Sequence, residues 1–456
     1  MKDLDRIFKA YDVRGVVPDE LDDEIARATG AAFVRVLGAR TVVTAHDMRA
    51  HSVTLAAAFA DGATAQGADV IEAGLAPTDL IYFAAGSLDL PGAVFTASHN
   101  PGRYGGIKLC RPGAAPVGME TGLAEVRDLV AAGVPAFDGP RGSVSQRDLM
   151  SAYADYLRAL VPLTGGRDLR VVIDAGNGMG GHSVPAVLGV ESHLRIDPLF
   201  FELDGSFPNH EANPIDPKNL VDLQARVTEI GADIGLAFDG DADRCFIVDE
   251  TGGIVAPATV TGLIAARELA REPGSTVIHN LITSRSVPEI VREHGGTPVR
   301  TRVGHSFIKA EMARTGAIFG GEHSGHFYFR DFWKADSGML AALHVLAALQ
   351  QAPAGQTLSQ VLAPFHRYHQ SGEINSTVTD APGRTAAVEV LLAGRDGATV
   401  DRLDGLTIDA FDTGGWWANV RPSNTEPLLR LNIEAKDAGQ LDVLTTELLA
   451  TIREGS

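Results

Sequence analysis

A chain of 456 residues with 45 % apolar and 21 % charged residues is too long for one hydrophobic core and too apolar for a disordered one, so three or four domains are expected. Its formal charge of −19, with no basic block, argues against nucleic acid and anionic membrane as partners, yet a few local cations and backbone N–H groups can still hold a small phosphorylated ligand. No apolar run reaches the ~20 residues of a bilayer span, the charged residues at 1–6 contain no signal-peptide core, and Cys110 and Cys245 form neither a disulfide framework nor a metal-ligand spacing, so the expected location is the cytoplasm.

Residues 21–145 alternate a helix at 21–37 with strands at 41–44, 70–71 and 93–96, the pattern of βα units. A helical stretch at 148–160 leads into a buried strand at 169–174, a glycine loop, another helix and a strand at 234–238. After the turn Thr251-Gly252-Gly253 come a helix at 259–270, a strand at 276–279 and a helix stopped by His294-Gly295-Gly296. An apolar helix at 337–351 and the breaker Pro353-Ala354-Gly355 precede strands at 373–378 and 416–420. The closing helix carries Leu441, Leu444, Leu448 and Ile452 on one face. These patterns predict domains at 1–146, 147–250, 251–366 and 367–456, with no repeat of solenoid period.

Three apolar strands run straight into polar loops, the place where α/β domains bind ligands. They lead into Thr96-Ala97-Ser98-His99-Asn100-Pro101, into Asp239-Gly240-Asp241-Ala242-Asp243-Arg244, and into Gly320-Gly321-Glu322-His323-Ser324-Gly325-His326. A fourth polar loop, Arg421-Pro422-Ser423-Asn424-Thr425-Glu426-Pro427, follows the strand at 416–420. Alternating Asp239, Asp241 and Asp243 can grip one hard divalent cation, and magnesium is the expected ion. An EF-hand calcium loop matches the acidic spacing out to Glu250, but it needs glycine where Arg244 stands and helices where the flanks read as strands. Magnesium usually completes its shell with phosphate oxygens, so a phosphate is expected nearby. Ser98 is the candidate bearer, next to the donor His99, with an ordinary turn as the alternative.

Arg421, Ser423, Asn424 and Thr425 combine a guanidinium fork, hydroxyls and an amide in a phosphate-binding turn. Glu322, Ser324 and His326 offer partners for sugar hydroxyls. One motif points elsewhere: Gly176-Asn177-Gly178-Met179-Gly180-Gly181 fits G-x-G-x-x-G, with Asp197 about twenty residues on, as in a dinucleotide site. It opens the second unit rather than the first and leaves the other loops unexplained, so a glycine turn allowing close packing is the preferred reading.

With these four loops in this order, the sequence resembles the α-D-phosphohexomutase superfamily, in its phosphomannomutase/phosphoglucomutase group, over nearly its whole length. Lys9-Ala10-Tyr11-Asp12-Val13-Arg14-Gly15, Tyr104-Gly105-Gly106-Ile107-Lys108 and Val303-Gly304-His305 extend the match. The resemblance implies an α/β protein of four domains around a central cleft: three share an α/β core with a mixed sheet, and a C-terminal α+β domain can swing over substrate. It implies an isomerase that interconverts mannose 1-phosphate and mannose 6-phosphate through a phosphoserine at Ser98, with hexose 1,6-bisphosphate as activator and intermediate. One Mg2+ per chain is implied on Ser98, Asp239, Asp241 and Asp243. Catalytic roles fall to Ser98, His99, Lys108, Arg14, Arg244 and His326. Substrate contacts fall to Tyr11, Gly304, His305, Glu322, Ser324, Arg421, Ser423, Asn424 and Thr425, in a monomer or homodimer.

Glu322-His323-Ser324 and Ser371-Gly372-Glu373-Ile374-Asn375 resemble the phosphomannomutase pattern, whereas phosphoglucosamine mutases usually carry glutamine at the middle of the first. Phosphoglucomutase and phosphoglucosamine mutase activities are the alternatives within the family. A phosphoserine-type phosphatase and a silent sugar-phosphate-binding protein are those outside it. Two departures, Ala45-His46-Asp47-Met48-Arg49 in place of Gly-Arg-Asp-x-Arg and Gly105 in place of asparagine, bear on local geometry.

Overall fold

The computed structural model describes residues 2–164, 166–422 and 428–454. Its strands form four sheets that follow one another along the chain. The first is ordered Val13–Val16, Tyr104–Cys110, Gly92–Phe95, Thr41–His46, Asp69–Leu75, Val144–Gln146. The second is ordered Ile254–Val255, Cys245–Asp249, Ile234–Phe238, Leu169–Asp174, Leu194–Leu199, and the third Thr297–Thr301, Thr276–Asn280, Phe319–Gly321, Phe327–Phe329, Ala335–Asp336. All three are mixed and flanked by helices.

The same device recurs in each mixed sheet. A central strand pairs parallel with one neighbour and antiparallel with the strand that follows it: Gly92–Phe95 with Tyr104–Cys110, Ile234–Phe238 with Cys245–Asp249, Phe319–Gly321 with Phe327–Phe329. The three polar loops of the sequence are therefore hairpin connections held at both ends by ladder hydrogen bonds, whereas a βα reading expects a helix to follow each. The glycines of Tyr104-Gly105-Gly106 interrupt the alternation that would have marked the first return strand.

The fourth sheet is antiparallel, ordered His369–Gln370, Leu428–Ala435, Trp416–Pro422, Leu406–Asp409, Thr399–Asp401, with Ile374–Thr377 also on Leu428–Ala435. Helices Ala381–Leu392 and Ala438–Arg453 pack with it, an α+β arrangement. Leu444, Leu448 and Ile452 of the closing helix are buried there, and Leu441 is half-buried against them.

Helix limits follow local chemistry. Asp22 caps Asp23–Leu37 by accepting from the Ile25 N–H at 2.9 Å, and Gly38, at φ 60°, stops it. Leu21, read as helical, lies before the cap and is buried. The apolar helix Gly338–Gln351 is buried from Gly338 through Gln350, in one core cluster that also takes residues from the first and second sheets and their helices. The fourth domain keeps a separate core and meets the third through Leu281, Ile282, Phe411 and Trp417, with Arg285 paired to Asp409 at 2.8 Å and Asp412 at 2.7 Å. No helix among the described residues is long and apolar enough to cross a membrane.

Between the first two domains the backbones touch. A Cβ at Gly240 would strike the Ser98 carbonyl oxygen, and one at Gly178 would meet the Gly240 carbonyl oxygen at 2.7 Å. The G-x-G-x-x-G segment thus buttresses the acidic loop, with Met179 N–H donating to the Gly240 carbonyl at 2.9 Å, and its Gly178 and Gly181 face protein backbone. Gly240→Ala is expected to lower the urea midpoint by the equivalent of about 1–3 kcal/mol, as overpacking does; circular dichroism provides the measurement, and an unchanged midpoint would show that the seam yields freely.

Candidate active site

Ser98 sits at the tip of the first hairpin with φ 52°, a left-handed conformation that costs a non-glycine residue about 1–2 kcal/mol. Arg49 holds it there. Its wholly buried guanidinium pairs with Asp47 at 3.1 Å and donates to the carbonyls of Ser98 (2.7 Å), Asn100 (2.6 Å), Pro101 (2.9 Å) and Tyr104 (3.2 Å). The ring of Phe207, from the second domain, lies against the same group at 5.0 Å. Ser52 donates to Asp47 at 2.6 Å and keeps that carboxylate in place.

The second hairpin presents Asp239, Asp241 and Asp243, all buried. Ser98 Oγ donates to Asp239 at 2.9 Å and lies 3.2 Å from His99 Nδ1. Arg244 grips Asp239 through Nε (3.0 Å) and Nη2 (2.8 Å), reaches Ser98 Oγ at 3.4 Å and closes onto His99. Lys108, on the return strand of the first hairpin, donates to Asp241 at 2.7 Å and Asp243 at 2.6 Å. Thr78 donates to Asp241 at 2.6 Å, and the adjacent Asp79 accepts from Ser337 at 2.6 Å, so the start of helix Thr78–Ser87 ties the acidic loop to the third domain.

Three buried carboxylates face two close cations, Lys108 and Arg244, which leaves a surplus of negative charge. Burial, opposed by Arg244 and reinforced by Asp241 and Asp243, pushes the Asp239 carboxyl up to about 8. Burial raises Asp241 as well, but Lys108 and Thr78 outweigh it and hold that group below the usual carboxylate range. The ligand oxygens of the three aspartates lie within 4.8 Å of one another, and the buried Oδ1 atoms of Asp241 and Asp243 have no hydrogen-bond partner among the described residues. Orphaned oxygens beside excess negative charge fit a hard divalent cation.

Tyr11, Arg14, Ser98, His99, Lys108, Arg244, His305 and His326 line one cavity of about 120 Å³. Arg14 donates to Asp12 at 2.6 Å and to Asn100 at 3.2 Å, and Tyr11 meets His305 edge-on at 3.9 Å between ring centroids. Burial and Arg244 push His99 well below the usual imidazole value, and burial with Lys309 does the same to His305. His326 Nε2 lies 3.8 Å from Asp243 and 3.9 Å from Asp336, while its Nδ1 is 3.0 Å from Ser324 Oγ. Glu322 is buried and accepts from Tyr328 and, at 3.3 Å, from Asn280. Gly304, at φ 131°, precedes the helix His305–Thr315.

Ten of the expected residues therefore converge around Ser98, counting the three aspartates with the seven other side chains that line its cavity: Tyr11, Arg14, His99, Lys108, Arg244, His305 and His326. Glu322, Ser324 and Gly304 belong to the third domain's side of the cleft, and Arg421 lies in the fourth domain, paired with Glu373 at 3.2 Å. Ser423, Asn424 and Thr425 fall outside the described residues. Sequence reasoning gave no role to Arg49, Thr78, Lys309 or Asp336. Lys309 pairs with Asp336 at 2.8 Å beneath His305 and His326. Its spacing of four residues from His305 on one helix was the available signal.

Comparison with known proteins agrees along the whole chain. Models described as phosphoglucomutase/phosphomannomutase alpha/beta/alpha domains I, II and III and as the C-terminal domain match residues 5–133, 151–253, 258–368 and 373–450. A protein of Xanthomonas campestris described as phosphohexose mutases is 40 % identical, covering 98 % of this chain and 99 % of its own. A phosphomannomutase of Salmonella typhimurium is 39 % identical, covering 98 % and 99 %. The crystal structure of a phosphoglucomutase/phosphomannomutase family protein from Burkholderia thailandensis superposes with a TM-score of 0.88 at 32 % identity, covering 100 % and 99 %. Four matched domains in order, on four sheets of which the first two bring one serine and three aspartates together at their hairpin tips, place the chain in the phosphoglucomutase/phosphomannomutase family, as an isomerase that transfers a phosphoryl group within its substrate.

Proposed function

We propose that the protein is a phosphomannomutase, interconverting mannose 1-phosphate and mannose 6-phosphate through a phosphorylated Ser98, with glucose phosphates as possible further substrates. The observation that carries this reading is the placement of Ser98 Oγ, 2.9 Å from Asp239, at the edge of a buried acidic cluster with orphaned oxygens. Relatives at 39 % and 40 % identity that bear the name phosphomannomutase support the choice of sugar.

The sugar's free hydroxyl attacks phosphorus on Ser98, the bond from Ser98 Oγ to phosphorus breaks, and a hexose 1,6-bisphosphate forms. The bisphosphate turns end for end, Ser98 Oγ attacks its other phosphate, and the isomeric monophosphate leaves. In each transfer the attacking hydroxyl loses a proton and the departing alkoxide gains one, so both transfers balance. Asp239, Asp241 and Asp243, with an oxygen on Ser98, would hold magnesium, which when bound would supply positive charge against the electrons that collect on the serine oxygen. Lys108 and Arg14 face the cavity and screen or move the proton at the sugar hydroxyl, helped by Tyr11, His99, His305 and His326. Arg244 steadies the serine and the acidic loop. Glu322 and Ser324, with the backbone at Gly304, take the sugar hydroxyls in both orientations. Arg421, Ser423, Asn424 and Thr425 take the distal phosphate.

The same reading divides the chain at 146/147, 250/251 and 366/367, and it places a monomer or homodimer in the cytoplasm with hexose phosphates as its partners.

Ser98→Ala is expected to cut turnover at least about 1,000-fold, as loss of a nucleophile does, in a coupled assay from mannose 1-phosphate to mannose 6-phosphate. Undiminished interconversion by that variant would end the proposal. Treatment with EDTA is expected to abolish turnover and added Mg2+ to restore it; an enzyme indifferent to chelator would remove the metal from the scheme. Arg421→Ala is expected to raise KM for either isomer about 10- to 100-fold, the value of charge-assisted hydrogen bonds to one phosphate, with a smaller change in kcat. Parallel kinetics on mannose 1-phosphate and glucose 1-phosphate decide the preferred sugar.

A further inference from the structure

Arg421 and Arg430 stand directly opposite each other on the paired strands Trp416–Pro422 and Leu428–Ala435. Like charges in that position repel, and both side chains are largely withdrawn from solvent, 10 % and 29 % exposed. An anion is needed between them, and Glu373 provides it. Its Oε2 lies 3.2 Å from Arg421 and its Oε1 3.4 Å from Arg430, one oxygen for each guanidinium.

Glu373 comes from the residue just before Ile374–Thr377, a strand that pairs with Leu428–Ala435, so the carboxylate reaches the arginine pair from the same sheet. From the third domain His323 points Nε2 at the same carboxylate, 3.8 Å away. Asn280 donates to His323 Nδ1 at 3.1 Å, which leaves the proton on Nε2. Glu373 and His323 also line a cavity of about 650 Å³ between the second, third and fourth domains, which gives a ligand room to approach. The Nε atoms of both arginines are buried and have no partner among the described residues, so a tetrahedral anion would find donors that a planar carboxylate leaves unused.

We propose that Glu373 is an internal stand-in for the substrate's distal phosphate: it neutralises the Arg421–Arg430 pair in the free enzyme, yields it to a phosphate dianion, and so sets which anions enter. This rests on the reading of Arg421 as a phosphate ligand. A dianion can displace the carboxylate where weaker anions fail, so Glu373 acts as a selectivity residue without taking part in bond making.

The experiment uses the full chain with Mg2+ and takes inorganic phosphate as the probe, read as competitive inhibition of mannose 1-phosphate turnover and as a shift in melting temperature. Glu373→Gln keeps the shape and removes the charge. Inorganic phosphate is expected to inhibit this variant about tenfold more tightly than the parent, and KM for mannose 1-phosphate is expected to fall. The variant should melt lower without phosphate and recover with it. Unchanged or weaker phosphate inhibition, or a lowered melting temperature that phosphate does not restore, would overturn the stand-in role and leave Glu373 as a structural brace. Arg421→Ala, measured in parallel, separates the two claims. If it loses phosphate inhibition while Glu373→Gln gains none, only the stand-in role is rejected; if it keeps phosphate inhibition intact, the phosphate-site reading fails and the stand-in role fails with it.

Discussion

The guanidinium of Arg49 is the constraint on which the rest depends. A fully buried cation is costly to desolvate, and it is tolerated because Asp47 neutralises it and four carbonyl groups of the serine loop and its return strand accept its protons. That network fixes a loop whose key residue adopts an unfavourable backbone angle, and it fixes the loop where the second domain's backbone touches it at Gly240. The reacting role proposed for the Ser98 oxygen would require this over-determination, since a side chain on a loose turn would sample many positions.

A second constraint follows from charge. Around Ser98 the carboxylates outnumber the nearby cations, and the imbalance appears as one carboxyl held up and another held down within a single loop. Such a cluster is stable only with an added cation or a retained proton, which ties metal binding to the integrity of the seam between the first two domains. The same logic, with the sign reversed, governs the fourth domain, where two facing arginines need an anion. The chain thus carries a cation-seeking cluster in its second domain and an anion-seeking pair in its fourth, the two charges that the proposed metal-assisted reaction on a phosphorylated sugar would use.

Much of this was legible in the sequence because the decisive groups are contiguous. Asp239, Asp241 and Asp243 occupy one hairpin tip, Ser98 and His99 another, and Glu322, Ser324 and His326 a third, so spacing marked the acidic loop as a cation site, while the other two loops drew their meaning from occurring together with it and from the family resemblance. A helix end was legible where glycine announced it, as at Gly295 after Ser286–Glu293, whereas the start at the Asp22 cap was read early, at Leu21. The return strands were harder to see, since Gly105 and Gly106 break the alternation that marks a strand. Groups that act on the site from a distance were not legible. Thr78 meets Asp241 across 163 residues of chain and Arg49 meets Ser98 across 49, and a lone arginine or threonine carries no mark of such a partner. Lys309 and Asp336 were missed for the same reason, although the helical phase shared with His305 offered a hint.

The long apolar helix Gly338–Gln351 has a consequence for how the protein is made. Because it packs against Met150–Leu160 and Cys245–Asp249 of the second domain and Pro257–Arg271 of the third, those two domains leave matching apolar surface open until residue 351 has been made. The first domain can close its own core at residues 7–126 early, whereas apolar surface of the second and third domains stays uncovered in the nascent chain until this helix is made.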